Sequence, residues 1–229
     1  MNDDKLRSGF LIGVVLLGAL IIGGLIWAIL AGPSPESPVD RGSTENNLTF
    51  KDDNDPAKGP GESKVVVRMF EDLQCPACRA AEAGVDYIMQ KYANQVRFVW
   101  DDFPLTTVHP NAMAAANAAR CAEEQNKFWE YRTQLYGAQS DWADLSAPTS
   151  KFIEYARNLG LNTDGFSACL AAQTYKNKIQ DDMAEGEANQ VDGTPTFFVN
   201  NTRFVGGMSN SDWDKVLGPL VGSTSSSKP

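Results

Sequence analysis

The sequence lacks an excess of positive charge. Its 229 residues include 20 lysines and arginines against 29 aspartates and glutamates, which gives a formal net charge of -9. No basic surface is available to neutralise the phosphates of DNA or RNA, so nucleic acid is excluded as a partner. The length suits one large domain or two small ones with appended segments, and it is sufficient to bury a substantial core.

Cysteine is also scarce, and this limits the kinds of site. Of the four cysteines, only Cys75 and Cys78 lie close together. A zinc ribbon needs two such pairs, so that class is excluded. The acidic run of Asp52, Asp53 and Asp55 lacks the alternate spacing, the glycine and the distal glutamate of a calcium loop, and it reads as a solvated loop. We predict no metal site and no bound cofactor.

Histidine occurs once, at His109. A single imidazole could serve as the base for a nucleophilic cysteine, but it would have to reach Cys75 in space, and the sequence does not place it there. Because His109 directly precedes Pro110 and Asn111 at the start of an alanine-rich stretch, we interpret it as a residue at the start of a helix.

The most informative stretch is Cys75-Pro76-Ala77-Cys78. It follows an apolar, β-branched run that predicts a strand, and it precedes an Ala-, Glu- and Gln-containing run that predicts a helix. Pro76 suits a first helical position. Cys75 is therefore predicted at a helix N-terminus, where free backbone N–H groups and the helix dipole favour a thiolate.

The remaining pattern predicts an α/β chain with a long helical block. A second strand at Val96–Trp100 completes a right-handed βαβ unit. Further elements are predicted as helices at Asn111–Gly137, at about Ser150–Leu159 and at Phe166–Gln190, a strand after Pro195 with a hairpin turn at Asn200-Asn201, and a last helix at Ser211–Val221.

One long hydrophobic run precedes these elements. Residues 10–31 carry no charge and exceed the roughly 20 residues that a bilayer requires. Lys5 and Arg7 lie before the run, so the positive-inside rule places residues 1–9 in the cytoplasm and everything after the run outside. A cleaved signal peptide is the alternative, but the run is too long and its end is a poor cleavage site. We expect an uncleaved single-pass anchor.

The segments beside the predicted domain are polar. Residues 32–61 are rich in Pro, Ser, Gly, Asn and Asp, which predicts a flexible linker. Leu48, Thr49 and Phe50 could add a short strand to the domain. Residues 223–229 are predicted to be a disordered tail.

Cys121 and Cys169 stand apart within the helical block. They could form a long-range disulfide or remain two buried thiols. An oxidising compartment on the outer side of the membrane favours the bond.

Together these motifs resemble those of the DsbA-like thiol–disulfide oxidoreductases. The resemblance covers about Leu48 to Val221 and rests on the order and spacing of four stretches: Phe70–Cys78, Phe103-Pro104-Leu105 with His109-Pro110, Lys127–Glu130, and Gly193-Thr194-Pro195-Thr196-Phe197. A lone Cys-X-X-Cys would be weak evidence, but its place after a strand, with Thr-Pro before a later strand, is specific.

The resemblance implies a thioredoxin fold over residues 62–222 with an inserted helical domain at about 108–190, preceded by the transmembrane helix. It implies that Cys75 and Cys78 are catalytic, with Pro76 and Ala77 in the active-site loop. It further implies a cis Thr194–Pro195 bond whose backbone binds extended substrate, and a structural disulfide between Cys121 and Cys169.

Two positions depart from the family. Met69 stands where many members carry a buried carboxylate that moves protons, so water, Glu71 or Asp72 would have to serve. Ala77 stands where the most oxidising members have histidine, so we expect a milder oxidant.

The predicted function is an oxidase that introduces disulfides into reduced secreted or surface proteins. The family implies reoxidation by a quinone-linked membrane partner. The anchor would place the catalytic domain on the periplasmic or extracellular face of the cell membrane. Two alternatives stay open: a reductase or isomerase of the same fold, and a non-catalytic anchored adaptor or chaperone that binds extended polypeptide.

Overall fold

A computed structural model describes residues 40–44, 48–51 and 54–224, with backbone only at 40–44 and 223–224. These residues belong to one compact unit, Val39–Pro229. Its sheet contains β1 (Asp40–Thr44), β2 (Ala57–Lys58), β3 (Val65–Glu71), β4 (Val96–Asp102), β5 (Thr196–Val199) and β6 (Thr202–Val205). The strand order is β1-β6-β5-β3-β4-β2. β3 and β4 pair in parallel from Val65 opposite Val96, and the other pairs are antiparallel.

The helices surround this sheet and form the insertion. They are α1 (Pro76–Lys91), α2 (Ala112–Glu123), α3 (Phe128–Gly137), α4 (Gln139–Trp142), α5 (Thr149–Asn158), α6 (Thr163–Ala172), α7 (Lys176–Ala188) and α8 (Asn210–Thr224). The predicted single helix at Phe166–Gln190 is wrong, because Gln173 adopts a left-handed conformation (φ 49°) and separates α6 from α7. The last helix continues to Thr224, beyond the predicted start of the tail.

The apolar side chains form two main clusters. One lies between the sheet and helices α1 and α8, with Val67, Ile88, Phe197 and Trp213 fully or almost fully buried. The other fills the helical insertion, and Cys78 is among its members. The reactive pair therefore lies where the thioredoxin-like core meets the insertion.

The predicted linker over 32–61 is wrong for its described part. β1 pairs with β6, and β2 pairs with β4, so both belong to the sheet. Phe50 forms no strand, but it packs against Phe198 with the ring centroids 5.0 Å apart. The polar composition of this segment did not indicate strands, because short edge strands need few apolar residues of their own.

The predicted membrane anchor at residues 10–31 and the tail residues 225–229 lie outside the described residues. Within the described ranges, no helix has the length and apolar character needed to cross a membrane.

A buried ionic cluster connects the insertion to the sheet. Arg120 from α2 donates to Asp102 of β4 at 2.6 Å and to Asp182 of α7 at 2.7 Å. Arg68 of β3 donates to Asp101 at 2.5 Å. Burial raises the pKa of Asp182 to about 7. Through Arg120, these bonds connect helices α2 and α7 of the insertion to strand β4.

Cys121 of α2 and Cys169 of α6 form a disulfide that closes a loop with a sequence separation of 48 residues. We expect the double variant Cys121→Ala/Cys169→Ala to lose about 4 kcal/mol of unfolding free energy, because the unfolded chain gains the entropy of that loop. Guanidinium chloride unfolding of both proteins measures the difference. A loss below about 1 kcal/mol would show that the bond contributes little beyond local packing.

Candidate active site

The sequence prediction for the Cys75 position is confirmed by the local geometry. Cys75 is the N-cap of α1, with φ -68° and ψ 123°, and Pro76 occupies the first helical position. β3 ends at Glu71, so the strand delivers the chain to this helix start within a few residues. Cys75 is 6% exposed and Cys78 is fully buried, and both are free thiols in this structure.

The Thr194–Pro195 peptide bond is cis and lies beside Cys75. The Cys75 Sγ atom is 3.5 Å from the Thr194 carbonyl oxygen, to which the thiol form donates. This contact brings together two sites that are 119 residues apart in sequence. The structure therefore places the predicted substrate-binding residues directly at the sulfur.

The pKa values of the two thiols are shifted in opposite directions. The hydrogen bond from the Cys78 thiol, with further ones from the backbone N–H groups of Cys78 and Ala77, lowers the pKa of Cys75 to about 5 against the opposing effect of burial. Burial raises the pKa of Cys78 well above its usual value, and the charges of Cys75 and Glu71 act in the same direction. Cys75 is thus the thiolate at neutral pH and Cys78 the protonated partner.

Glu71 is a buried carboxyl close to this pair. Burial raises its pKa, although Arg132 and a 2.7 Å hydrogen bond from the Tyr136 hydroxyl oppose that effect. The charge on Cys75 contributes to the same rise, which places Glu71 within electrostatic reach of the thiols. The raised pKa makes this buried carboxyl a better proton acceptor than an ordinary glutamate.

Arg132 is the counter-charge to this carboxyl. Its guanidinium lies 3.3 Å from the Glu71 carboxylate and 2.8 Å from that of Glu82. It also stacks on aromatic rings, with 4.9 Å to the Trp100 centroid and 5.0 Å to that of Tyr136. Burial raises the pKa of Glu82 to about 7, so this second carboxyl also titrates near neutrality.

The turn before Cys75 is held by side-chain amides of the insertion. Gln139 of α4 donates to the carbonyls of Leu73 and Cys75 at 2.9 and 3.2 Å. Gln74 donates to the Ala143 carbonyl at 2.7 Å and accepts from the backbone of Asn111 at 2.7 Å. The helical insertion therefore satisfies the polar groups of the active-site turn.

One group of carboxylates has the spacing of a possible cation site. Asp55, Asp101 and Asp182 each place one oxygen atom within 4.8 Å of the others. Arg120 and Lys178 already bind Asp55 and Asp182, at 2.9 Å and 2.6 Å from Asp55 respectively. We interpret the group as a structural ion-pair cluster, and the prediction that Asp55 lies in a solvated loop is wrong because its side chain is buried against Arg120 and Lys178.

A strand-to-helix dithiol opposite a cis-proline, with a helical block inserted between them, defines the class of DsbA-like thiol–disulfide oxidoreductases in the thioredoxin superfamily. The family model described as Thioredoxin matches residues 51–218, and the chain belongs to that family.

Solved structures share this fold. A thioredoxin-like oxidoreductase from Silicibacter pomeroyi is 26% identical, with a TM-score of 0.61 over 72% of this chain and 91% of that one. Alpha-DsbA1 from Wolbachia pipientis is 20% identical, with a TM-score of 0.67 over 79% of this chain and 96% of that one. BdbD from Bacillus subtilis is 18% identical, with a TM-score of 0.62 over 72% and 90% of the respective chains.

Two relatives found by sequence similarity are named as sodium–proton antiporters. A protein from Salinispora tropica named Na(+)/H(+) antiporter NhaA 3 is 35% identical over 211 residues, which are 89% of this chain and 31% of that protein. One from Mycolicibacterium vanbaalenii, named Na(+)/H(+) antiporter NhaA 1, is 30% identical over 90% of this chain and 32% of its own length. The chain thus spans about a third of the length of these relatives.

Sequence reasoning found the two cysteines and the proline but missed the groups that surround them. Arg132 and Tyr136 were not distinguished from ordinary helix residues, and Gln139 carried no signal at all. Glu71 was considered only as one substitute for the carboxylate missing at Met69. A charged residue at a helical position that faces the core, such as Arg132, is the one signal that could have indicated the network.

Proposed function

We propose that this protein is a membrane-anchored dithiol oxidase that introduces disulfides into reduced secreted or surface proteins. The observation that carries the proposal is the low pKa of Cys75, about 5, beside a buried, protonated Cys78. Stabilising the Cys75 thiolate favours the reduced protein over its disulfide, so the oxidised protein accepts electrons readily.

In the proposed reaction, a client thiolate attacks Cys75 Sγ of the Cys75–Cys78 disulfide. The bond between the two enzyme sulfurs breaks, and Cys78 leaves as a thiolate that takes up a proton from water, because its pKa is raised well above the usual value. A second client thiolate then attacks the client sulfur of the mixed disulfide and expels Cys75 as a thiolate. The client is oxidised by two electrons, and the enzyme pair is reduced to the state seen here.

The rim of the site supports polypeptide clients. Val108 is 67% exposed and Leu145 is 40% exposed, and both belong to loops beside the active-site turn. The carbonyl of Leu145 accepts a hydrogen bond from Asn111, which also binds Gln74. We propose that these two side chains contact apolar residues of an unfolded client.

The compartment is part of the proposal. The Cys121–Cys169 disulfide suits an oxidising environment, and residues 10–31 have the composition of an anchor that would leave the domain on the periplasmic or extracellular face. A quinone-linked membrane oxidoreductase would reoxidise the cysteine pair. Sodium–proton antiport belongs to the names of much longer proteins and is not part of the proposal.

A reductase or isomerase of the same fold is the second candidate, and the reduction potential distinguishes it. The corresponding cysteine pKa is about 7 in thioredoxin and about 3.5 in DsbA, with potentials of about -270 and about -120 mV. A pKa of about 5 lies between them. We therefore expect an intermediate potential, nearer to that of DsbA, in agreement with the milder oxidant expected from Ala77.

Equilibration of the purified protein with glutathione buffers, read by alkylation of Cys75 and Cys78, measures this potential. The variant Ala77→His is the matched control and should become more oxidising, because it restores the residue of the strongest oxidants. A value close to that of thioredoxin would overturn the oxidase assignment in favour of the reductase. A pair that resists both alkylation and reduction in the folded protein would instead favour the non-catalytic adaptor.

A further inference from the structure

The single histidine lies at the active-site turn. His109 Nδ1 is 2.6 Å from Asp72 Oδ2, and the His109 side chain is 17% exposed whereas that of Asp72 is fully buried. The backbone N–H of Leu105 donates to the same oxygen at 2.9 Å, and that of Gln74 donates to Oδ1 at 2.7 Å. A carboxylate has acceptors only, so His109 Nδ1 is its third N–H donor.

Asp72 connects this histidine to the reactive cysteine. The Asp72 carbonyl accepts the backbone N–H of Cys75 at 3.0 Å, which closes a tight turn over residues 72–75. The turn ends at the N-cap of α1, where the N–H groups of Ala77 and Cys78 stabilise the Cys75 thiolate. The position of the sulfur relative to those donors therefore depends on how firmly the Asp72 carboxylate is held.

We propose that His109 is a positioning residue for Cys75: by donating to the buried Asp72 carboxylate, it fixes the turn that presents the sulfur at the start of α1. This inference rests on the proposed function and extends it to the loop between β4 and α2. Because Leu105 and His109 bind the same carboxylate, this loop is attached to the turn at two points.

A direct role for His109 as the base of Cys75 is not supported by the contacts. The Cys75 sulfur forms hydrogen bonds with Cys78 and Thr194, whereas His109 Nδ1 forms its hydrogen bond with Asp72. Its influence on the sulfur must pass through the turn. This distinguishes His109 from the groups that touch the reacting atoms.

Two variants of the full chain separate the effect of the His109 hydrogen bond from the effect of the volume of the imidazole ring. His109→Asn places an amide N–H close to where Nδ1 lies, and His109→Leu fills similar space without a donor. The rate of Cys75 alkylation by iodoacetamide is measured from pH 4 to pH 8, with thermal unfolding as the check on the fold. Amide hydrogen exchange of Gln74 and Cys75 is measured in parallel, since both N–H groups bind Asp72.

We expect His109→Leu to lower the alkylation rate near pH 4 by about tenfold, the change that a rise of one pKa unit produces below the wild-type pKa of about 5, and to speed exchange at Gln74 and Cys75. His109→Asn should stay close to the wild type in both. A wild-type profile and wild-type exchange in His109→Leu would overturn the proposal, and so would equal losses in the two variants. If Cys75 of the wild type proves unreactive below pH 7, the proposed function fails, and the exchange rates alone then decide the role of His109.

Discussion

Replacing Cys78 by serine is expected to turn the protein into a trap that accumulates mixed disulfides on Cys75. Without Cys78, the Cys75 thiolate can still attack a client disulfide and form a mixed disulfide, releasing the other client sulfur as a thiolate, but the enzyme cannot expel the bound client by closing its own disulfide. Non-reducing gels of cells that produce the variant, followed by identification of the bound proteins, measure the effect. Secreted clients that contain cysteine are the expected product.

The trap has a matched control and a pH signature. Cys75→Ser should capture nothing, because the remaining Cys78 thiol is fully buried and its pKa is raised by that burial. In the Cys78→Ser protein the serine hydroxyl can still donate to the Cys75 sulfur, so the pKa of Cys75 should stay below its usual value. Reactivity of Cys75 should be lost as the pH falls through its pKa, because the depressed pKa reflects a stabilised thiolate. Equal capture by both variants would contradict the assignment of Cys75 as the attacking residue.

Removing the Arg132 guanidinium is expected to cause the largest loss of stability. The variant Arg132→Met keeps an apolar chain of similar length beside Trp100 but leaves Glu71 and Glu82 without their counter-charge. Breaking a buried pair in this way costs about 3–5 kcal/mol, because an uncompensated charge remains. Urea unfolding of the variant and the wild type at pH 8 and pH 5 measures this loss of unfolding free energy.

The loss should be smaller at pH 5 than at pH 8. Burial already raises the pKa values of Glu71 and Glu82, so both carboxyls take up protons as the pH falls and no longer need Arg132. On the same helix, Lys127→Met is the matched control, since Lys127 and Glu130 form an exposed pair worth at most about 1 kcal/mol. The triple variant with Glu71→Gln and Glu82→Gln should recover much of the loss. If it does not, the stacking of Arg132 on the aromatic rings, and not its charge, is the main contribution.

The sequence predicted those parts of the fold that depend on local pattern. Short, continuous apolar runs identified β3 and β4, and Pro76 together with the following alanines identified the start of α1. The hairpin at Asn200 was predicted because asparagine tolerates the left-handed conformation observed there, with φ 51°. The Thr194–Pro195 bond is cis, as the resemblance to the family implied.

The remaining features depend on contacts between distant residues, which a single sequence does not reveal. Arg132 and Glu71 are 61 residues apart, and Gln139 is 64 residues from the Cys75 carbonyl that it binds. His109 was predicted correctly to precede a helix, yet its bond to Asp72 could not be inferred, because helix propensity says nothing about which turn lies opposite. The break at Gln173 was not predicted because no glycine or proline marks it in the sequence.

The two short strands β1 and β2 occupy the outer positions of the sheet, where they cover the edges of β6 and β4. Unprotected strand edges present free N–H and C=O groups that pair readily with a second chain. A protein with the proposed oxidase function would meet many extended segments of unfolded clients that could add to such an edge. Because β1 and β2 cover β6 and β4 with residues that precede the catalytic motif, they restrict the addition of a client chain to those two strands.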